Sequence, residues 1–115
     1  MRRLGLILAT AILGLGLGGP ASASNASAGL ITHIIVNDNG VVLFTHSGTR
    51  TTPPTCSGPT VGARWAFDGS TGAGHAKLSA LLSAYALGKQ IWIVGTGSCA
   101  AWGDTESVGF FEIQD

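Results

Sequence analysis

Charge is scarce in this chain of 115 residues: Asp, Glu, Lys and Arg together make up 10% of it, six acidic against six basic. The basic residues never gather into a run or patch, which argues against nucleic acid or an anionic membrane surface as partner. Cysteine is limited to two residues with no CxxC spacing and no histidine near either, so a metal site is disfavoured. Catalytic signatures are missing as well. There is no nucleophile elbow. Gly95-x-Gly97-x-x-Ala100 fits the outline of a dinucleotide loop after a strand, but no helix opens at Ala100 and the chain is too short for the βαβ unit. Gly69–His75 lacks the Gly-Lys-Ser/Thr ending of a phosphate loop. These absences point to a non-enzyme without a cofactor. Internal repeats and low-complexity tails are absent too.

The longest apolar run, Leu4–Leu17, falls short of the roughly 20 residues of a spanning helix. It follows Arg2 and Arg3 and precedes Pro20 and the small-x-small triplet Ala21-Ser22-Ala23. That is the pattern of an export leader over 1–23, rather than a membrane anchor, and it predicts a secreted or periplasmic protein without stable membrane insertion. A second triplet, Ala26-Ser27-Ala28, leaves the cut at either place. Residues 24–29 are expected to be a disordered start, and 30–115 one folded domain. Without the leader, Arg50, Arg64, Lys77 and Lys89 stand against Asp38, Asp68, Asp104, Glu106, Glu112 and Asp115, a formal charge of −2. A chain this short has a small core, where a covalent staple helps. Cys56 and Cys99 in an oxidising compartment supply it. Closing about forty residues stabilises by about 3–4 kcal/mol. Free thiols or an intermolecular bridge are the alternatives.

Leu30–Asn37 and Val41–Ser47 are rich in Ile, Val, Leu, Phe and Thr, and Asp38-Asn39-Gly40 between them signals a hairpin. A two-residue turn at Asn39-Gly40 would group Ile34, Val36 and Leu43 on one face and Ile35, Val42 and Phe44 on the other. It would also set His33 opposite His46, a pair suited to a metal or a pH switch. A satisfied surface pair is the plainer reading, because no third ligand is apparent. Gly48–Ala63 has three prolines and no periodicity, so it is a loop. Arg64–Asp68 is a third strand. Leu78, Leu81, Leu82 and Tyr85 fall at i, i+3, i+4 and i+7, the apolar stripe of a helix. Asp68, Ser70 and Thr71 are N-cap candidates, and Gly88 sits where a C′ glycine should. Gln90–Val94 and Ser107–Gln114 complete the strands, with a bulge expected near Gly109.

This order, β-β-β-α-β-β, is that of an OB-fold, a mainly β five-stranded Greek-key barrel with one helix. Its usual ligand face uses the loops after the first and fourth strands. Here these carry Asp38 and Asn39 in one loop, and Trp102, Asp104 and Glu106 in the other. An aromatic beside acceptors suits a sugar, whose ring has apolar C–H faces and a rim of hydroxyls. The plainer reading makes Trp102 a plug at the barrel end beside the disulfide. Asp104 and Glu106 could form the carboxylate pair of a glycosidase, but two residues apart on a loop they read as solvated.

Arg64-Trp65-Ala66-Phe67-Asp68, then Leu81-Leu82, Tyr85 and Gly88, then Ile91-Trp92-Ile93-Val94 resemble the B subunits of the subtilase cytotoxin type, with Cys56 ahead of the tryptophan. Gly95-Thr96-Gly97-Ser98-Cys99 with Trp102-Gly103-Asp104-Thr105-Glu106 looks more like a set of small exported bacterial proteins. The resemblance implies an OB-fold, a homo-pentamer and binding of sialylated or other glycans. It places no sugar-contacting residue on this chain. The expected function is therefore a secreted, non-catalytic glycan-binding subunit; the alternative is a monomeric accessory or inhibitor domain that binds another protein. The face formed by Ile35, Val42 and Phe44 and the small residues Ala76, Ala80 and Ala84 are the expected oligomer surfaces.

Overall fold

The computed structural model describes residues 22–115. The expected leader lies outside the described residues except for Ser22 and Ala23. Six strands and one helix follow in order: β1 (Asn25–Gly29), β2 (Ile31–Val36), β3 (Val41–His46), β4 (Arg64–Asp68), α1 (Gly72–Leu87), β5 (Ile91–Gly95) and β6 (Val108–Ile113). They form two three-stranded antiparallel sheets, β1-β5-β6 and β2-β3-β4. The described residues are thus mainly β with one helix, as the sequence pattern predicts, but with six strands in two sheets where five in one barrel are expected. Two isolated bridges join the sheets, Ala66 to Ser107 in parallel just ahead of β6 and Ala26 to Arg50 antiparallel just after β3. Every element contributes to the main core, which holds Ala26, Ile31, Val42, Phe44, Trp65, Phe67, Leu81, Ala84, Ile91, Ile93 and Val108. Among the described residues no helix is long and apolar enough to cross a membrane.

The sixth strand is the surprise. Residues 24–29 are not disordered: Asn25–Gly29 pairs with β5, setting Asn25 against Val94 and Ala26 against Ile93. Its other edge meets the chain after β3, where Ser27 N–H donates to Thr49 O and Thr51 N–H to Asn25 O, both at 2.9 Å. Asn-Ala-Ser-Ala-Gly has little strand propensity. Partners on both edges impose its conformation.

The hairpin is one register step away from expectation. Asn37 N–H donates to Val41 O and Gly40 N–H to Asn37 O, each at 3.0 Å, so three residues, Asp38 to Gly40, make the loop. Gly40 has φ 88°, the left-handed position that ends such loops. Ile34 therefore faces Phe44 and Ile35 faces Leu43. The expected Ile35, Val42, Phe44 face does not exist: Val42 and Phe44 are in the core and Ile35 is half exposed. The histidine pair is not formed either, since His33 lies opposite Thr45. His33 is exposed, while His46 is buried. The Nδ1 of His46 accepts from Gly48 N–H at 3.2 Å, and Nε2 then donates to Ile91 O at 2.9 Å. Burial lowers the pKa of His46, against the smaller opposing effect of its backbone bond to Ile91.

Thr71 is the N-cap, its hydroxyl accepting from Gly74 N–H at 2.9 Å. Asp68 instead closes a turn on Ser70, and the hydroxyl and N–H of Ser70 hold the Asp68 carboxyl below its usual pKa. At the far end Gly88 N–H donates to Tyr85 O and Lys89 N–H to Ala84 O, as a C′ glycine allows. The buried stripe is rotated from the expected one. Gly74, Leu81 and Ala84 face inward with Leu78 packed beside them, whereas Leu82 and Tyr85 are exposed. Small residues let the helix approach the sheet closely, so Ala84 is core and not part of a free alanine stripe.

Cys56 and Cys99 form the disulfide, with Cα atoms 6.1 Å apart. It ties the long loop after β3 to the turn after β5. The β6 pairing shifts between Val94 to Phe110 and Gly95 to Val108, which places the expected bulge at Gly109.

Candidate functional site

The five residues that loop position singled out do not form a common cleft. Asp38 and Asn39 are exposed in the β2–β3 loop, and the amide oxygen of Asn39 accepts from Val41 N–H at 3.0 Å. Asp104 is bound to Arg64 (Nη2 to Oδ1, 2.6 Å). Trp102 packs with Ala101 on a second apolar cluster, Val41, Leu43 and Ala66, on the side of β3–β4 away from the main core. That is plug geometry. None of the five lines either cavity described below.

Glu106 departs furthest from expectation. It is a wholly buried carboxylate, not a surface acceptor, and it forms an ion pair with Arg50, whose side chain is 7% exposed (Nη2 to Oε1, 2.8 Å). The hydroxyl of Ser24 also donates to Oε1, while Ser24 N–H (3.0 Å) and Gly97 N–H (2.8 Å) donate to Oε2. Four donors saturate the carboxylate, leaving no lone pair for a ligand. Arg50 is equally occupied: Nε donates to Ser24 Oγ at 3.0 Å, and Nη1 to Gly62 O at 2.5 Å and Arg64 O at 3.1 Å. Its guanidinium lies 3.8 Å from the centre of the Trp65 ring, a cation–π contact in a dry setting. At position 95 only glycine fits, because a Cβ there would run into the Glu106 carboxylate and the Trp65 ring. The cluster is a structural clamp.

The clamp holds up the walls of a groove. Ser24 precedes Asn25, and Arg50 lies between Thr49 and Thr51; Asn25, Thr49 and Thr51 all line an open groove of about 560 Å³. Ser27, Ala28, Trp92, Glu112 and Gln114 complete it. The alternation of β5 puts Ile91 and Ile93 in the core and turns Trp92 outward. Glu112 is its direct neighbour on β6. Phe110, 51% exposed, meets Trp92 edge to face with ring centres 5.7 Å apart. Gln114 Nε2 donates to Glu112 Oε1 at 2.8 Å, which orients the carboxylate. The result is a partly buried indole on the outer face of the sheet, flanked by one carboxylate, two side-chain amides and several hydroxyls.

A second cavity of about 310 Å³ lies between the start of α1 and the segment before β6, lined among others by Asp68, Thr71, Lys77, Ala101 and Ser107. Lys77 Nζ is directed at Val108 O, 3.4 Å away. It has no exposed aromatic surface. Among the described residues no group of three His, Cys, Asp or Glu could hold a metal ion.

Trp92, Glu112, Gln114, Asn25, Thr49 and Thr51 of the groove lie outside the loops of the usual OB ligand face. One signal was available: Trp92 stands between two isoleucines in a strand, which turns it to the opposite face. No family model, curated protein or solved structure matches this chain.

Proposed function

We propose that this protein is an exported, non-catalytic carbohydrate-binding domain, and that its sugar lies in the Trp92 groove. The observation that carries this reading is the composition of the groove: an aromatic face bordered by Glu112, Gln114, Asn25, Thr49 and Thr51. A pyranose presents C–H bonds to an indole and hydroxyls to acceptors and amides. The groove has one carboxylate in its lining, whereas glycoside hydrolysis usually needs a pair. Its lining has no Lys or Arg to balance a sialic acid carboxylate, so a neutral hexose glycan is the favoured class. The OB reading of the fold belongs here too. Leu30 alone separates β1 from β2, so the two act as halves of one bent strand, one pairing with β5 and the other with β3.

One such site binds weakly, because a few net hydrogen bonds and one stacking contact in water contribute only a few kcal/mol. Several copies on one assembly would raise avidity by about 10²–10⁴. On a glycan array, neutral glycans should bind in a manner that depends on surface density, and Trp92→Ala should abolish the signal while the domain stays folded. Binding confined to sialylated glycans, or retained by folded Trp92→Ala, would contradict this assignment. One observation favours a second reading, a protein-binding domain or homo-oligomer: Ile35, Val36, Leu82, Tyr85 and Leu87 are all exposed. A monomer mass by light scattering, with no glycan bound, would leave the protein-binding reading in front.

A further inference from the structure

We infer that the chain is cut between Ala23 and Ser24, and that the α-ammonium this releases on Ser24 becomes the second cation of the buried Glu106 clamp. Three observations meet at this bond. Pro20 followed by Ala21-Ser22-Ala23 is a leader-peptidase recognition pattern in the sequence. Ser22 and Ala23 are exposed, whereas Ser24, next along, is 1% exposed. The Ser24 nitrogen lies 3.0 Å from Glu106 Oε2. The atom that hydrolysis would charge already points at a carboxylate.

The chemistry balances with water as the co-reactant. A leader peptidase of the export membrane hydrolyses the Ala23–Ser24 amide; Ala23 leaves with a carboxylate, and Ser24 keeps the amine, which is protonated at neutral pH. A neutral N–H donor to Oε2 is replaced by a charged one, and charge-assisted bonds are roughly twice as strong. Arg50 stays on Oε1, so the two cations occupy different oxygens of one carboxylate, with the Ser24 hydroxyl between them. Removing Ser22 and Ala23 opens the ammonium to water for its remaining protons. The second triplet, Ala26-Ser27-Ala28, fails as a cleavage site. A cut after Ala28 would delete Ser24, two of the four donors to Glu106, the buried Ala26 and the Asn25 wall of the groove. Because Ser24 is sealed in the folded domain, the cut precedes folding, and processing helps to drive the fold to completion outside the membrane.

The test begins with the full chain expressed in a bacterial host, and N-terminal sequencing of the exported protein should read Ser-Asn-Ala-Ser-Ala. Two forms of the chain beginning at Ser24 are then compared, one with a free amine and one Nα-acetylated, which keeps the N–H and removes the charge. At pH 6.5 the free-amine form should melt about 5–10 °C higher. In an NMR titration of the native protein, its amine should titrate above the ordinary α-amino range of about 7.7–8.0. Glu106 acts to raise that value and Arg50, the other charged group bonded to Ser24, acts against it. With the folded pKa raised, the extra stability is full below the unfolded pKa and is lost as pH rises through the folded one. Retention of the leader, a different first residue, equal melting of the two forms at pH 6.5, or an amine titrating in the ordinary range would each overturn the inference.

Discussion

Trp92 and Trp102 stand ten residues apart, on either side of the Cys99 staple; both are partly buried, but against different neighbours. Trp102 sits in a tight turn closed by a hydrogen bond from Thr105 N–H to its own carbonyl (3.0 Å), and the chain folds its ring back onto Val41, Leu43 and Ala66. Trp92 is held in mid-strand between Ile91 and Ile93, both of which the core takes, so the pleat leaves the indole on the open face. A loop aromatic is free to find apolar cover. A strand aromatic whose neighbours are buried is not. An aromatic that the backbone holds on an outer face is better evidence for binding than one whose loop lets it fold inward.

The same contrast holds for the carboxylates of this region. Glu106 is spent on stability, whereas Glu112 lies in the groove proposed for the sugar, and substitutions should separate the two roles. The largest effect is expected at Glu106. Glu106→Ala leaves Arg50 as a buried, unpaired cation and should cost about 3–5 kcal/mol in a urea melt. Because the clamp carries Asn25, Thr49 and Thr51, sugar binding should weaken with it. Trp102→Ala comes next, at about 2 kcal/mol for a half-buried ring, with binding retained by the protein that remains folded. If Trp102→Ala abolished binding at unchanged Tm, the two tryptophans would have to exchange roles. The smallest effect is a pH slope from His46. With burial holding its folded pKa below the ordinary imidazole value of 6.5, the unfolded chain takes up the proton first. Stability should be full above pH 6.5 and decline as the pH falls below it, and His46→Gln should flatten that slope.

Much of this architecture was legible in the residues. Alternation and turn chemistry located β2 to β6 within a residue or two, and the compartment logic paired Cys56 with Cys99. The errors have physical causes. Strand β1 carries its information in its partners, since Ser24 and Asn25 answer to Glu106, Thr51 and Val94 far along the chain. The hairpin register turned on whether Asp38 belonged to the loop, and one residue there reversed every face. The helix stripe shifted because Gly74 and Ala84, not only the leucines, make the close contact with the sheet. Glu106 looked like a loop acceptor because its partner Arg50 is 56 positions away, and no local spacing announces such a pair.

The assignment of the sugar site to the Trp92 groove is tested most directly by the indole N–H resonances of the three tryptophans in an NMR titration with a neutral oligosaccharide selected by the array. The Trp92 signal should move in a saturable way, together with the side-chain amides of Asn25 and Gln114, while those of Trp65 and Trp102 stay in place. A saturable shift of Trp102 with Trp92 unmoved would contradict the account.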